Sequence, residues 1–209
     1  MTDIDVELIN HQASTLMKRG IALMEDPRRE AAIDAVHSFD EALALRRQVP
    51  AGHSPFQGYL LAACLLNRAD ALVRLNDAAP LAAALGSYDE AIDVLRALPM
   101  DEDPLYPRRL AIGCQNRGLA LQIRGLEGDR GLAAAAFAEA IAVLERLQVQ
   151  PALAIVDLRL RLAVHGRVHL AARRRSRPGT RPPDIERLPV RDAGVVCRIL
   201  VVSNHGAEG

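Results

Sequence analysis

Apolar residues recur at intervals of three and four along most of the chain, which is the spacing of one face of an α-helix. The first such run covers residues 3–24, with Ile9, Leu16 and Leu23 along one side. A second run follows Asp26 and Pro27 and ends at Pro50. Because Asp is a good N-cap and proline suits the first helical position, the two runs predict a helical hairpin.

The hairpin is present three times, with a period of 49 residues. Two sequence marks keep this period: Lys18–Leu23, Asn67–Leu72 and Asn116–Leu121 form the first, and Ser38–Leu43, Ser87–Ile92 and Ala136–Ile141 form the second. Two independent marks with one period indicate three copies of one unit. Each copy also has a small residue inside its first helix, at Gly20, Ala69 or Gly118. Since glycine inside a helix costs about 1 kcal/mol relative to alanine, these positions predict a closely crossing neighbour.

An alternative start for the second helices stays open. Ser38–Glu41 and Ser87–Glu90 are capping-box sequences, which would begin each second helix about twelve residues later. Ala136 in the third copy cannot cap a helix, so the earlier start at Asp26 and Pro27 is favoured.

After the third hairpin, Ala152–Arg173 repeats the pattern of a first helix, and no second helix follows it. Terminal repeats are commonly atypical, so this segment is interpreted as a closing helix. The chain therefore divides into a helical domain at 1–172 and a tail at 173–209, with about seven helices in all. The tail is rich in Arg and Pro and is expected to be disordered. Its apolar run Val195–Val202 receives no structural assignment.

Composition agrees with an all-α protein. Half of the residues are apolar, only 3% are aromatic and none is Trp, which favours helices packed through Ala and Leu over a sheet. Residues 1–150 carry a net charge of −6 and residues 151–209 a net charge of +6. The N-terminus has no signal-peptide pattern and no apolar run is long enough to span a membrane, so a cytoplasmic protein is expected.

The repeat resembles the tetratricopeptide family. In that family the first helix carries a large residue, Asn, a small residue, Ala and a large apolar residue, and the second copy matches these at Leu65, Asn67, Ala69, Ala71 and Leu72. Second helices match the family's Ala, aromatic, Ala series, at Ala35-Phe39-Ala42, Ala84-Tyr88-Ala91 and Ala133-Phe137-Ala140. The copies depart from the family in being about fifteen residues longer and in placing Arg where Leu usually precedes the small residue.

The resemblance implies a right-handed superhelix of antiparallel hairpins with a concave groove lined by the first helices. The family's groove positions fall here on Met17, Ile21, Met24, Leu66, Asp70, Val73, Arg74, Gln115, Leu119 and Gln122. Relatives that grip a C-terminal carboxylate use Lys and Asn where Met17 and Ile21 stand, so that clamp is not expected here. An apolar, Met-containing groove suits an amphipathic helix or an extended apolar segment. Filling by a terminal helix or by self-association is the alternative.

No set of residues predicts catalysis or a bound cofactor. His165 and His169 are four residues apart but lack the Glu and third ligand of a zinc site. The acidic run Asp101–Asp103 could bind a cation but is interpreted as a loop between repeats. The Gly125–Gly128 segment superficially suggests a phosphate-binding loop, but no strand precedes it and no Gly-Lys-Ser/Thr sequence follows, so it is interpreted as the turn of a helical hairpin. The three cysteines are widely spaced and indicate neither a zinc ribbon nor a disulfide framework.

Arg19, Arg68 and Arg117 occupy the same position in the three copies. They could form a ladder that binds an acidic ligand. The second interpretation is that they pair with neighbouring carboxylates such as Asp70 or lie along the repeat surface with their stems packed. The second interpretation is favoured.

The sequence as a whole predicts a non-enzymatic scaffold that binds a peptide or helix of a protein partner, without metal or cofactor. Weak binding of nucleic acid or another anionic surface by the arginine-rich tail is the alternative, and a helical-repeat enzyme is the third possibility.

Overall fold

The structure is a computed structural model that describes residues 3–50 and 53–147. These residues form six α-helices and no strand, as expected of an all-α protein: α1 Asp3–Leu23, α2 Arg29–Arg46, α3 Pro55–Leu75, α4 Ala78–Arg96, α5 Leu105–Arg124 and α6 Asp129–Arg146. The predicted seventh helix at Ala152–Arg173, the domain boundary at 172, the basic tail and Val195–Val202 lie outside the described residues.

The second helices begin early, close to the predicted start. In the first hairpin, the Asp26 carboxylate accepts a hydrogen bond from the backbone N–H of Arg28 at 2.9 Å, and α2 follows. The later start at Ser38 and Ser87 is wrong because both serines lie inside helices. Their hydroxyls donate hydrogen bonds to the backbone carbonyls four residues earlier, both at 3.0 Å. The serines therefore bond within their own helix and do not cap a helix N-terminus.

The first helices of the second and third copies end at the same repeat position. Asn76 and Gly125, 49 residues apart, both adopt the left-handed conformation, with φ of 54° and 66°. Their N–H groups bond back to the carbonyls of Val73 and Leu121. Asn and Gly are the residues that tolerate this conformation best, so each copy has a local signal that stops α3 and α5 and turns the chain into α4 and α6.

Each helix packs on its neighbours along the chain. The pairs α1 with α2, α3 with α4 and α5 with α6 form hairpins, and α2 with α3 and α4 with α5 join one hairpin to the next. A lighter contact links α3 to α5. Packing between successive units is the pattern by which helical repeats bury a continuous core.

The small residues of the first helices allow close crossing within each hairpin, as predicted. A Cβ added at Gly118 would lie 2.6 Å from Cε1 of Phe137, and one added at Gly20 would collide with Phe39. Both rings are fully buried, and Ala69 is fully buried in the equivalent position.

Ion pairs between hairpins keep the same period. Arg68 contacts Asp40 and Arg117 contacts Asp89, each at 2.5 Å and each across 28 residues of sequence. A second series joins Arg47 to Glu90 and Arg96 to Glu139, each at 2.7 Å. Arg68 and Arg117 therefore pair with carboxylates of the preceding hairpin and not with Asp70.

No helix among the described residues is both long and apolar enough to cross a lipid bilayer.

Candidate interaction face on the first helices

The ten residues that sequence analysis assigned to a groove lie on the three first helices. They are Met17, Ile21 and Met24 on α1, Leu66, Asp70, Val73 and Arg74 on α3, and Gln115, Leu119 and Gln122 on α5. Leu66 is buried, and the other nine are partly buried. Together they are called the interaction face.

Leu66 belongs to the core of the protein. It is only 2% exposed, and its Cδ2 would lie 3.2 Å from a Cβ added at Gly113 of α5. Leu66 is thus a spacer between α3 and α5 that a ligand does not reach in this conformation. The nine other residues form the accessible part of the interaction face.

Five of these nine residues are apolar. Met17, Ile21, Met24, Val73 and Leu119 each pack one side against the core and leave the other side accessible. Partly exposed Met and branched side chains adapt to apolar ligands of different shapes. The apolar character predicted for this face is therefore present on all three first helices.

Asp70 is the anionic group of the interaction face, and two neighbouring helices hold it in place. Its Oδ1 accepts a hydrogen bond from the hydroxyl of Tyr88 on α4 at 2.5 Å and one from Nδ2 of Asn116 on α5 at 3.0 Å. Burial raises the pKa of Asp70 to about 6, although both hydrogen bonds and the positive charge of Arg109 act in the opposite direction. Asp70 therefore links α3 to α4 and α5, and it titrates close to neutral pH.

Arg74 is occupied by backbone carbonyls. Its guanidinium donates to the carbonyl oxygens of Met24, at 2.7 Å, and Asp26, so it ties the end of α3 to the turn of the first hairpin. Arg29 makes the reciprocal contact, donating to the carbonyl of Leu75 at 2.6 Å and pairing with Asp77. Arg74 therefore stabilises the junction between the first two hairpins.

An aromatic cluster that sequence analysis missed lies at the start of α3 and α5. The rings of Phe56 and Tyr59 stack with centroids 6.1 Å apart, and Tyr106 lies 5.8 Å from Tyr59. Arg109 covers Tyr59 at 5.4 Å and donates to its hydroxyl at 2.9 Å. Phe56 is 53% exposed, so an apolar surface adjoins the cluster. The only sequence signal was the position of three of the six aromatic residues near these two helix starts.

A cavity of about 230 Å³ lies between α2, α3 and α4, and contains none of the predicted groove residues. Its walls are Asp40, Leu43, Ala44, Arg47, Leu65, Arg68, Ser87 and Glu90. The four charged residues pair with one another, Arg68 with Asp40 and Arg47 with Glu90. Their charges are therefore used in joining the first two hairpins.

The cysteines of the described region are poor nucleophiles. Cys64 and Cys114 are buried, and burial raises the pKa of both thiols to about 12. They stay protonated at neutral pH, and a thiol attacks only as thiolate. Cys64 instead donates a hydrogen bond to the carbonyl of Phe39 at 3.4 Å.

Two other segments considered in the sequence analysis, Asp101–Asp103 and Gly125–Gly128, contribute to helix starts and turns. Asp103 accepts a hydrogen bond from the N–H of Leu105 at 2.8 Å at the start of α5, and Gly125 and Gly128 form the turn into α6. Within residues 3–50 and 53–147, no group of three or more His, Cys, Asp or Glu side chains is placed to hold a metal ion. His165 and His169 lie outside the described residues.

Comparisons with protein-family models, with curated proteins and with solved structures found no match to this chain. The residues that the structure describes therefore define a broad class, that of all-helical proteins built from repeated helical hairpins.

Proposed function

We propose that this protein is a non-enzymatic scaffold of the tetratricopeptide kind, and that it works in the cytoplasm by binding an apolar or amphipathic segment of a partner protein on the interaction face. The observation that carries the proposal is the presence of five partly exposed apolar side chains at equivalent repeat positions on three successive first helices, which also hold one anchored carboxylate.

The apolar side chains provide the affinity in this proposal. Met17, Ile21, Met24, Val73 and Leu119 keep accessible surface that a partner would remove from water, which is worth about 25 cal/mol per Å² of apolar area. A helix or extended segment with apolar residues at regular spacing fits such a face, as in other helix-in-groove complexes.

The repeat architecture suits this function because successive hairpins offer equivalent positions along one side. In this proposal the hairpins stack as a right-handed superhelix of the tetratricopeptide kind, and the first helices line its inner surface. Arg74 and Asp70 keep the junctions between hairpins fixed, which would present the face as a preorganised surface.

Affinity capture from a cell lysate tests the proposal with matched variants. Val73→Glu and Leu119→Glu each place a charge on the interaction face, whereas Ala82→Glu places the same charge on an exposed position of α4. Partners captured by the wild-type protein should be lost with the first two variants and kept with the third. Circular dichroism and the melting temperature of each variant establish that the fold is intact. Equal capture by all four proteins would exclude this face as the binding surface.

A further inference from the structure

The contact between successive hairpins combines one ion pair with one pair of apolar residues, which lie three residues apart on each helix. Arg68 of α3 pairs with Asp40 of α2, and Leu65, three residues before the arginine, lies with Leu43, three residues after the aspartate, at the same cavity. In the next junction Arg117 pairs with Asp89, and Cys114 and Ile92 occupy the leucine positions. We call this arrangement the interlock.

Helix α1 carries the half of the interlock that a first helix supplies, an apolar residue followed by Arg three residues later. This half lies on a surface that none of the described helices covers. Leu16, Arg19 and Leu23 stand 49 residues before Leu65, Arg68 and Leu72. Leu65 and Leu72 are 1% and 6% exposed, whereas Leu16 and Leu23 are only partly buried. Arg19 is exposed and has no carboxylate partner among the described residues, in contrast to Arg68 and Arg117.

The same helix also carries the half of the interlock that a second helix supplies, an Asp followed by an apolar residue three residues later. Asp5 and Leu8 are three residues apart, as are Asp40 and Leu43 in α2 and Asp89 and Ile92 in α4. Both residues are exposed, and Leu8 at 57% is among the most exposed large apolar side chains of the described region. One helical face of α1 therefore holds the two complementary halves in a single stripe.

The spacing of the two halves makes α1 self-complementary. Leu8 and Leu16 lie four residues before and after Gln12, and Asp5 and Arg19 lie seven residues before and after it. When a second α1 runs antiparallel about a two-fold axis at Gln12, Leu8 faces Leu16 and Asp5 faces Arg19. Because the axis repeats every contact, the interlock forms twice.

We propose that the protein forms a symmetric dimer in which α1 packs antiparallel against α1 of a second copy in this register. The occupant of the uncovered face is thus a second copy of this chain. The contact uses the stripe of Asp5, Leu8, Gln12, Leu16 and Arg19, and leaves Met17, Ile21 and Met24 of the interaction face free. Dimerisation therefore joins two interaction faces without blocking either.

A single helix pair gives a small interface, so the dimer should be weak and dependent on concentration. Interfaces below about 1,200 Å² belong to transient complexes. The two Asp5–Arg19 pairs are exposed, and exposed pairs are screened by salt, so association should weaken as the ionic strength rises.

Sedimentation equilibrium of the full chain over a wide concentration range tests the dimer. Arg19→Asp places Asp opposite Asp at both ends of the stripe, and Asp5→Arg places Arg opposite Arg, so each variant should weaken association by about tenfold or more. The double variant Asp5→Arg with Arg19→Asp exchanges the charges and should restore association to near the wild-type level. Lys18→Asp makes the same charge change as Arg19→Asp on the neighbouring exposed residue, outside the stripe, and should leave association unchanged.

A wild-type protein that stays monomeric at every concentration would overturn the proposal. A dimer that Arg19→Asp and Lys18→Asp weaken equally would also overturn it, and so would a double variant no better than its parents. Circular dichroism of each variant guards against unfolding, and the single exposed substitutions are not expected to disturb the fold.

Discussion

Substitution of glycine by alanine should have opposite effects on stability at two glycines that lie inside helices. Gly118 in α5 and Gly86 in α4 both lie away from the helix ends. A Cβ at Gly118 would lie 2.6–2.9 Å from three carbons of the buried Phe137 ring, whereas a Cβ at Gly86 would meet nothing within 4 Å. The pair therefore separates the intrinsic helix preference of alanine from the cost of overpacking.

The magnitudes follow from these two surroundings. Alanine is favoured over glycine in a helix by about 1 kcal/mol, so Gly86→Ala should raise the free energy of unfolding by about that amount. Gly118→Ala receives the same gain but must displace a ring with no exposed surface, and overpacking a core costs about 1–3 kcal/mol. The net effect of Gly118→Ala should be a loss of up to about 2 kcal/mol.

Urea denaturation followed by far-UV circular dichroism measures both changes. Gly86→Ala should shift the midpoint to a higher urea concentration, and Gly118→Ala should shift it to a lower one. Phe137→Leu in the Gly118→Ala background should recover part of the loss, because the smaller side chain makes room for the methyl group. If both alanine variants were equally stabilised, α5 and α6 would not cross where the structure places them.

Three further changes test other parts of the structure. Asp70→Asn should become more stable relative to the wild type as the pH rises from about 4 to about 6, by up to about 3 kcal/mol, because the folded protein holds the Asp70 proton with a pKa of about 6 whereas the unfolded chain releases it near 3.8. A stability difference that is flat across this pH range would show that the carboxyl is not desolvated. Arg46→Met should raise the melting temperature, because Arg46 is only 5% exposed and its guanidinium is hydrogen-bonded to the neutral side chains of Asn10 and Ser14. The next copy has the buried Leu95 at this position. A lower melting temperature would mean that Arg46 has a counter-charge. Deleting residues 176–209 should leave helicity and thermal stability nearly unchanged and should weaken any nucleic-acid binding, which in the intact chain should be weak and steeply salt-dependent. DNA and RNA titrations with both proteins at two salt concentrations check this, and binding that the deletion leaves unaffected would refute it.

The helices could be predicted from the sequence because their signals are local and repeated three times. Asp26 with Pro27 marks a helix start within the first hairpin, and the small residues at Gly20 and Gly118 mark a close crossing within their own hairpins. The period of 49 then shows that the same unit occurs three times. The capping-box signal at Ser38 and Ser87 pointed elsewhere, because a serine hydroxyl inside a helix can bond to its own backbone and the surrounding core favours the longer helix.

The interaction face was harder to predict than the helices. The sequence placed ten residues on the first helices, yet the burial of Leu66 depends on how closely α3 approaches α5 at Gly113. The anchoring of Asp70 by Tyr88 and Asn116 joins residues 18 and 46 positions away. The pairing of Arg68 with Asp40 likewise depends on how one hairpin stacks on the next. These contacts are set by tertiary packing, for which a single sequence has no local signal.

Site-specific photo-cross-linking tests the central claim most directly. A benzophenone side chain introduced at Val73 or Leu119 reports which molecules touch the interaction face, and the same group at the exposed Ala82 of α4 serves as the control. The scaffold proposal predicts that irradiation of the full-length protein in lysate yields the same discrete partner adduct from Val73 and from Leu119, and none from Ala82. Adducts formed from Ala82 but from neither of the other two positions would place the binding surface elsewhere and contradict the proposal.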